Sequence, residues 1–304
     1  MTADAPTRPR LTRTQYAVIA MLLASALIAG TTLIAKVLGR PMGAVEGLHP
    51  LIVSAGRFVF ALAAALIVVA ARPRLRPSFN GARFDLHLGR SLCGWLGVTA
   101  LFAASARMPL AEATAIGFLS PLVTMVLAIL ILKESATLRK AVAAGLAVLG
   151  ALALLRPGTE AFQPAALFAL AAALLFGVES VFIKRLSDSE PPLQILIVNN
   201  AIGSTIALAA ASFVWEIPIP SQWLLLAALG VVMVSAQAWF IQAMRNADAS
   251  AMTPVFYTTL IFAALYDFAL FGVLPVPLSL FGAALIMIGA WLLSREPERE
   301  AGGP

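Results

Sequence analysis

Runs of 18 or more apolar residues recur along the whole chain. "LIVSAGRFVFALAAALIVVAA", Leu51 to Ala71, is one of them. A helix needs about 20 residues to cross a ~30 Å hydrocarbon slab, a length that a soluble core helix does not require. Composition agrees: 61% of the 304 residues are hydrophobic and 12% charged, with a mean hydropathy of +0.92. Soluble domains are nearer half apolar and a quarter charged. With no water in the slab, each backbone polar group needs an internal partner, which a helix supplies. The fold class is therefore an all-α polytopic membrane protein.

Apolar runs, read against charged and Pro/Gly punctuation, predict ten transmembrane helices near 14–38, 47–71, 88–107, 111–132, 138–156, 163–187, 191–214, 221–244, 250–272 and 277–294. A net charge of +6 does not point to nucleic acid, because the arginines gather in short loops beside apolar runs. With the N-terminus in the cytoplasm, sixteen Lys and Arg lie inside and four (Lys36, Arg40, Arg107, Arg156) outside, leaving Arg57 within a span. That bias orients both termini to the cytoplasm. The single cysteine, Cys93, excludes an intrachain disulfide and a CxxC metal motif. The run from Tyr16 to Leu38 exceeds a signal-peptide core, so it reads as an uncleaved first span.

The two halves repeat. "ALIAG" (26–30) lies over "ALLFG" (173–177), and "FALAAA" (60–65) over "IALAAA" (206–211), at offsets of 147 and 146. "ALFAASARMPLAEA" (100–113) lies over "AWFIQAMRNADASA" (238–251), and "LAVLGALALLR" (146–156) over "LIMIGAWLLSR" (285–295), at 138 and 139. The step in offset coincides with the long basic loop 72–90. A period of five spans is odd, so the second half enters the membrane upside down. Such inverted repeats are common in secondary transporters, where rocking of one half on the other exposes a midplane site alternately to each side. The expected units are a tail 1–13, repeats 14–156 and 163–294, and a tail 295–304.

"GRF" in span 2, "LILKES" closing span 4 and "GAALIMIGAWLL" in span 10 resemble the drug/metabolite transporter superfamily, in its EamA-type branch. The resemblance covers about 14–294. It implies a bacterial inner-membrane permease of small metabolites, often an amino-acid exporter, working without ATP, and the chain has no GxxxxGK[ST] phosphate loop. Aromatic or apolar amino acids are the expected cargo, with uptake of a nucleoside- or sulfonium-type metabolite as the alternative. No cofactor or metal is expected. Lipid and a small-molecule substrate are the expected partners, protons are the candidate coupling ion, and a monomer is expected.

Pseudo-symmetry selects the faces that line a cavity. On span 4, Thr114, Gly117, Phe118, Pro121 and Met125 share a helical face. Their counterparts on span 9 are Met252, Val255, Phe256, Thr259 and Ala263. Span 3 offers Ser91, Trp95, Thr99 and Phe102, and span 8 answers with Leu229, Met233, Gln237 and Phe240. Aromatics mixed with neutral hydrogen-bonding groups suit a largely apolar pocket with a few polar contacts; packing against other helices or lipid is the alternative use of such stripes. The expected substrate contacts are thus Trp95, Thr99, Thr114, Phe118, Gln237, Phe240, Phe256 and Thr259, joined by Glu179. Pro121 and Pro254 are hinge candidates, since proline removes a helical hydrogen bond, and Pro121 is the stronger because Pro254 lies in the first turns of its span.

Charges inside a span mark function or a buried partner. Arg57 and Asp267 lie roughly 15 Å and 8 Å below the outer ends of spans 2 and 9 at the helical rise, so they form a candidate ion pair. A substrate-carboxylate or gating role, or a snorkelling one, is the alternative for Arg57. Glu179, whose repeat counterpart is Thr32, reads as an ammonium- or proton-binding carboxylate, or as a protonated structural one. Only two histidines, with no HExxH and no GxSxG, exclude familiar intramembrane hydrolases, so no enzyme is expected. Nothing in the sequence resembles a channel's carbonyl filter or charged ring, and the short loops offer little surface for a scaffold.

Overall fold

The computed structural model describes residues 13–41, 43, 45–72, 77, 82–132, 137–155, 163–187, 190–246, 252 and 255–294, and these are helical or form turns and loops. Pro254 lies outside them. In chain order the helices are α1 (Arg13–Leu38), α2 (Pro50–Ala71), α3 (Phe84–Ser105), α4 (Leu110–Gly117), α5 (Ser120–Leu132), α6 (Leu138–Leu155), α7 (Ala165–Ser187), α8 (Pro192–Ala211), α9 (Pro220–Asn246), α10 (Thr258–Phe271) and α11 (Pro277–Ser294). Local chemistry sets several ends. Pro50 opens α2, its missing N–H being one the first turn leaves unpaired anyway, while His49 Nδ1 accepts from the Leu51 amide at 3.3 Å. Gly272, at φ 65°, closes α10 in the left-handed conformation that glycine enters without a Cβ clash.

Seven stretches are long and apolar enough to cross a bilayer, namely Arg13–Leu38, Pro50–Ala71, Leu110–Leu127, Leu138–Leu155, Ala165–Ile183, Leu193–Val214 and Pro220–Phe240. Two shorter apolar helices lie at Thr258–Phe271 and Pro277–Gly289. α3 opens with Asp85, His87 and Arg90 in its first turns, which dilutes its apolar character. The chain is a polytopic membrane protein. Large apolar side chains stand on its outer faces, as on Leu130 and Leu149, which are 70% and 57% exposed; hydrocarbon, not water, is the solvent for such a surface.

Helices pack in pairs: α1 on α9, α3 on α7, α2 on α8, and α6 on α11. The α6–α11 seam is built on Gly150 and Gly282. A Cβ at Gly150 would lie 2.5 Å from the Gly282 carbonyl oxygen, and one at Gly282 would lie 2.8 Å from the Gly150 carbonyl oxygen. Only hydrogen at both positions lets the backbones meet, as is usual where lipid supplies no hydrophobic push between helices.

Candidate functional site

The expected fourth span is two helices. Pro121 is the second residue of α5 and has no N–H to give the Gly117 carbonyl. The chain tightens there into a turn in which the Phe118 amide bonds the Thr114 and Ala115 carbonyls and Leu119 bonds Ile116. A matching break falls at Tyr257, which stands just before α10. The two breaks meet through aromatic rings. Phe118 makes edge-on contacts with Phe256 and Tyr257 at centroid separations of 5.4 and 5.2 Å, and Phe240 stacks edge-on against Phe256 at 5.5 Å. Each such pair contributes about 0.5–1.5 kcal/mol beyond the area it buries.

These rings wall a cavity of about 600 Å³, within the range of small-molecule pockets. Thr114, Phe118 and Pro121 line it from α4, α5 and the turn between them, and Phe240, Phe256 and Thr259 line it from the second half. Glu179 of α7 and Thr32 of α1 both reach the wall. Four hydroxyl hydrogens there are already committed. Thr32 donates to Ile28 O, Thr114 to Leu110 O, Ser180 to Phe176 O and Thr259 to Phe256 O, at 2.6 to 3.3 Å. What the oxygens have left is lone pairs. With the Glu179 carboxylate, this makes the wall rich in acceptors. Tyr257 differs: its buried hydroxyl has no hydrogen-bond partner among the described residues.

Glu179 is held loosely. Arg90 Nε lies 3.7 Å from Glu179 Oε1, beyond hydrogen-bond length, while Arg90 Nη1 donates to the Ile195 carbonyl at 3.1 Å. Gly94 of α3 faces the carboxylate, and a Cβ there would stand 2.8 Å from Oε1. The place for Glu179 exists because α3 is bare at that point. Arg57 also feels the charges of Glu179 and Arg90. It is 4% exposed, its guanidinium carbon lies 4.2 Å from the Phe58 ring centroid, and its Nη1 makes no hydrogen bond among the described residues.

The expected Arg57–Asp267 pair does not form, because Asp267 belongs to Lys36. Lys36 Nζ donates to Asp267 Oδ1 and the Leu110 amide donates to Oδ2, so one carboxylate ties α10 to α1 and to the start of α4. Lys36, an outside cation in the basic count, is thus buried in a pair. Arg90, at the edge of the basic loop 72–90, stands nearly two turns into α3, which starts at Phe84.

Three expected contacts stand off the wall. Trp95 packs in a separate core with Phe58 and Phe102, its buried Nε1 unpartnered, and Thr99 bonds back to the Trp95 carbonyl at 2.8 Å. From α3 the wall takes Leu101, and from α9 Phe240 but not Gln237. Met252 and Val255 pack with Met21 and Phe240 in one apolar cluster. Sequence reasoning missed Tyr257, Arg90 and Lys36 as members of this machinery. The last two stand on other helices than the acids they face, so no local spacing in the sequence pairs them.

Residues 15–156 and 163–295 match the EamA-like transporter family. The chain belongs to this family. An S-adenosylmethionine uptake transporter of Rickettsia felis is 27% identical over 202 residues, covering 66% of this chain and 69% of that one. A riboflavin transporter of Vibrio cholerae is 27% identical over 223 residues, 73% and 75% of the two chains. A pseudopaline exporter of Pseudomonas aeruginosa is 26% identical over 210 residues, 68% and 74%. One solved crystal structure shares the fold with a TM-score of 0.57 at 22% identity, over 92% of this chain and 96% of that one. The protein is thus a membrane transporter of small molecules and not an enzyme.

Proposed function

We propose that this transporter moves, by alternating access, a small metabolite with a cationic head and an aromatic or apolar body. The acceptor-rich wall carries the reading. Hydroxyls whose hydrogens are spent, and a carboxylate held only loosely by Arg90, ask a ligand for positive charge or donors. Phe118, Phe240 and Phe256 offer faces and edges to its body, and the Tyr257 hydroxyl is free to donate to it. On binding, the ligand's cation displaces Arg90 from Glu179, and a proton reaching the emptied carboxylate resets it. Within this class the narrower reading is export of aromatic or apolar amino acids across a bacterial inner membrane by a monomer. The second reading is uptake of a nucleoside- or sulfonium-type metabolite, which the S-adenosylmethionine relatives favour.

The proposed frame is ten spans in two inverted five-helix repeats, 14–156 and 163–294, with tails 1–13 and 295–304 inside. Exchanging the halves carries the α1–α9 contact into the α3–α7 contact, and the break at Phe118–Leu119 falls 138 residues before Phe256–Tyr257. The sixteen-to-four basic count supports cytoplasmic termini.

Flux into and out of proteoliposomes, with labelled phenylalanine, leucine, S-adenosylmethionine and adenosine as the panel, tests the class. Movement of phenylalanine or leucine supports the first reading and S-adenosylmethionine or adenosine the second. Movement of none of the four, by protein that is folded and inserted, overturns the proposal.

A further inference from the structure

A second cavity, of about 520 Å³, lies at the C-terminal end of α1, where Lys36 stands one turn beyond Thr32 of the Glu179 site. Lys36 forms its floor, and Arg40, Arg107 and Gln163 stand on its walls. Its described lining holds three cations and no carboxylate. Among the described residues the acid in contact is Asp267, paired with Lys36, so the described lining keeps a surplus of positive charge. Phe271 helps to hold that surplus together: Lys36 Nζ and the Arg40 guanidinium carbon each lie 4.7 Å from its ring centroid, the attraction of a ring face for cations. The remaining anchors are backbone carbonyls. Arg40 Nε donates to Ala106 O at 3.3 Å and Arg107 Nη1 to Ala103 O at 2.9 Å, which leaves the other N–H groups of both guanidiniums without an acid among the described residues. An ammonium carries three donors, and Asp267 takes one of those on Lys36.

We propose that this basic vestibule is an anion-binding site, the port for the carboxylate or phosphate of a small metabolite. An anion seated there competes with Asp267 for Lys36 and loosens the contact that joins α1, α4 and α10. Lys36 is the shared member of both arrangements. Its ammonium is fully buried against Asp267 at a position that lines the cavity, so an anion seated there takes the ammonium by turning it away from the Asp267 carboxylate, which keeps the Leu110 amide. A role for this loosening in transport rests on the transport reading above; the anion site and its competition with Asp267 do not, and the test reads those two.

In a Cys93→Ser background, a Gln163→Cys probe is labelled with negatively and positively charged methanethiosulfonates of similar size. The purified protein is tested in neutral detergent, in phosphatidylcholine vesicles, and in vesicles with added phosphatidylglycerol. The expected result is labelling about tenfold faster by the anionic reagent, as a focused positive field gives, together with protection by millimolar phosphate or succinate. Arg40→Gln with Arg107→Gln removes both effects without touching a buried pair. Asp267→Asn, which frees Lys36, lowers the protecting anion concentration, and Lys36→Gln raises it. Protection by free anion in phosphatidylcholine supports a soluble occupant, whereas protection only with phosphatidylglycerol supports the same site filled by a lipid headgroup. Equal rates for the two reagents, or protection unchanged in the double variant, overturns the site. Protection that ignores both Lys36→Gln and Asp267→Asn overturns the competition.

Discussion

Replacing Lys36 by Met leaves the Asp267 carboxylate buried beside the Leu110 amide with its cation gone. The two side chains are 0% and 2% exposed, so water cannot take the place of the ammonium. Breaking a buried pair by removing one partner costs about 3–5 kcal/mol, whereas replacing both partners with apolar groups is often neutral or stabilising. Lys36→Met alone should therefore lower the equilibrium constant for folding by two to nearly four decades at about 1.4 kcal/mol each. Asp267→Leu alone should act similarly, since it strands the ammonium and the Leu110 amide. Lys36→Met with Asp267→Leu should recover most of the loss. The coupling is read from a double-mutant cycle of unfolding free energies in mixed micelles. Single substitutions below about 1 kcal/mol, or additive losses, would show that the pair does not tie the three helices together.

Gly94→Ala puts a methyl group 2.8 Å from Glu179 Oε1, closer than the two can stand. The carboxylate end of a flexible side chain moves easily, so thermal stability should hold while substrate flux falls about tenfold or more; unchanged flux would mean that this carboxylate position does not matter. At the end of α3, Glu190 accepts from the Arg83 amide at 3.0 Å and from Gln194 at 2.8 Å, with His87 Nε2 at 2.8 Å from it. Burial pushes the Glu190 carboxyl up, but those bonds outweigh it and hold it below its usual range. A depressed carboxyl stabilises the fold above its unfolded value of about 4.3, and that stabilisation is lost as pH falls through the lower folded value. Melting followed from pH 7 to 3 should therefore show an acid loss that Glu190→Gln flattens, and identical pH profiles would refute the staple.

The sequence was legible along the helix axis and poorly legible around it. Bilayer thickness filters apolar runs strictly, so the segment expected at 277–294 is the observed α11, and Pro121 marked the broken span. Azimuth had no such filter. On α3 the expected face carried Phe102, whereas the wall takes Leu101, a rotation of about 100° at 3.6 residues per turn. Trp95 and Thr99 turned away with it. Charges misled for a different reason. They served as marks of helix ends, and Arg90 and Lys36 counted as flanking charges although each is buried against an acid. Nothing local in the sequence says that Asp267 prefers Lys36 to Arg57, because that choice is made by the packing of α10 on α1.

The most direct measurement is the flux of the transported member of the labelled panel through proteoliposomes of wild-type protein and of Glu179→Gln, prepared at equal insertion and equal melting temperature. Losing a charge-assisted contact in a poorly hydrated site is worth about 1.5–3 kcal/mol. The amide variant should therefore lose at least about tenfold in apparent affinity, with its flux no longer responsive to an imposed proton gradient. Wild-type affinity and wild-type proton response in Glu179→Gln would contradict a cation site at this carboxylate.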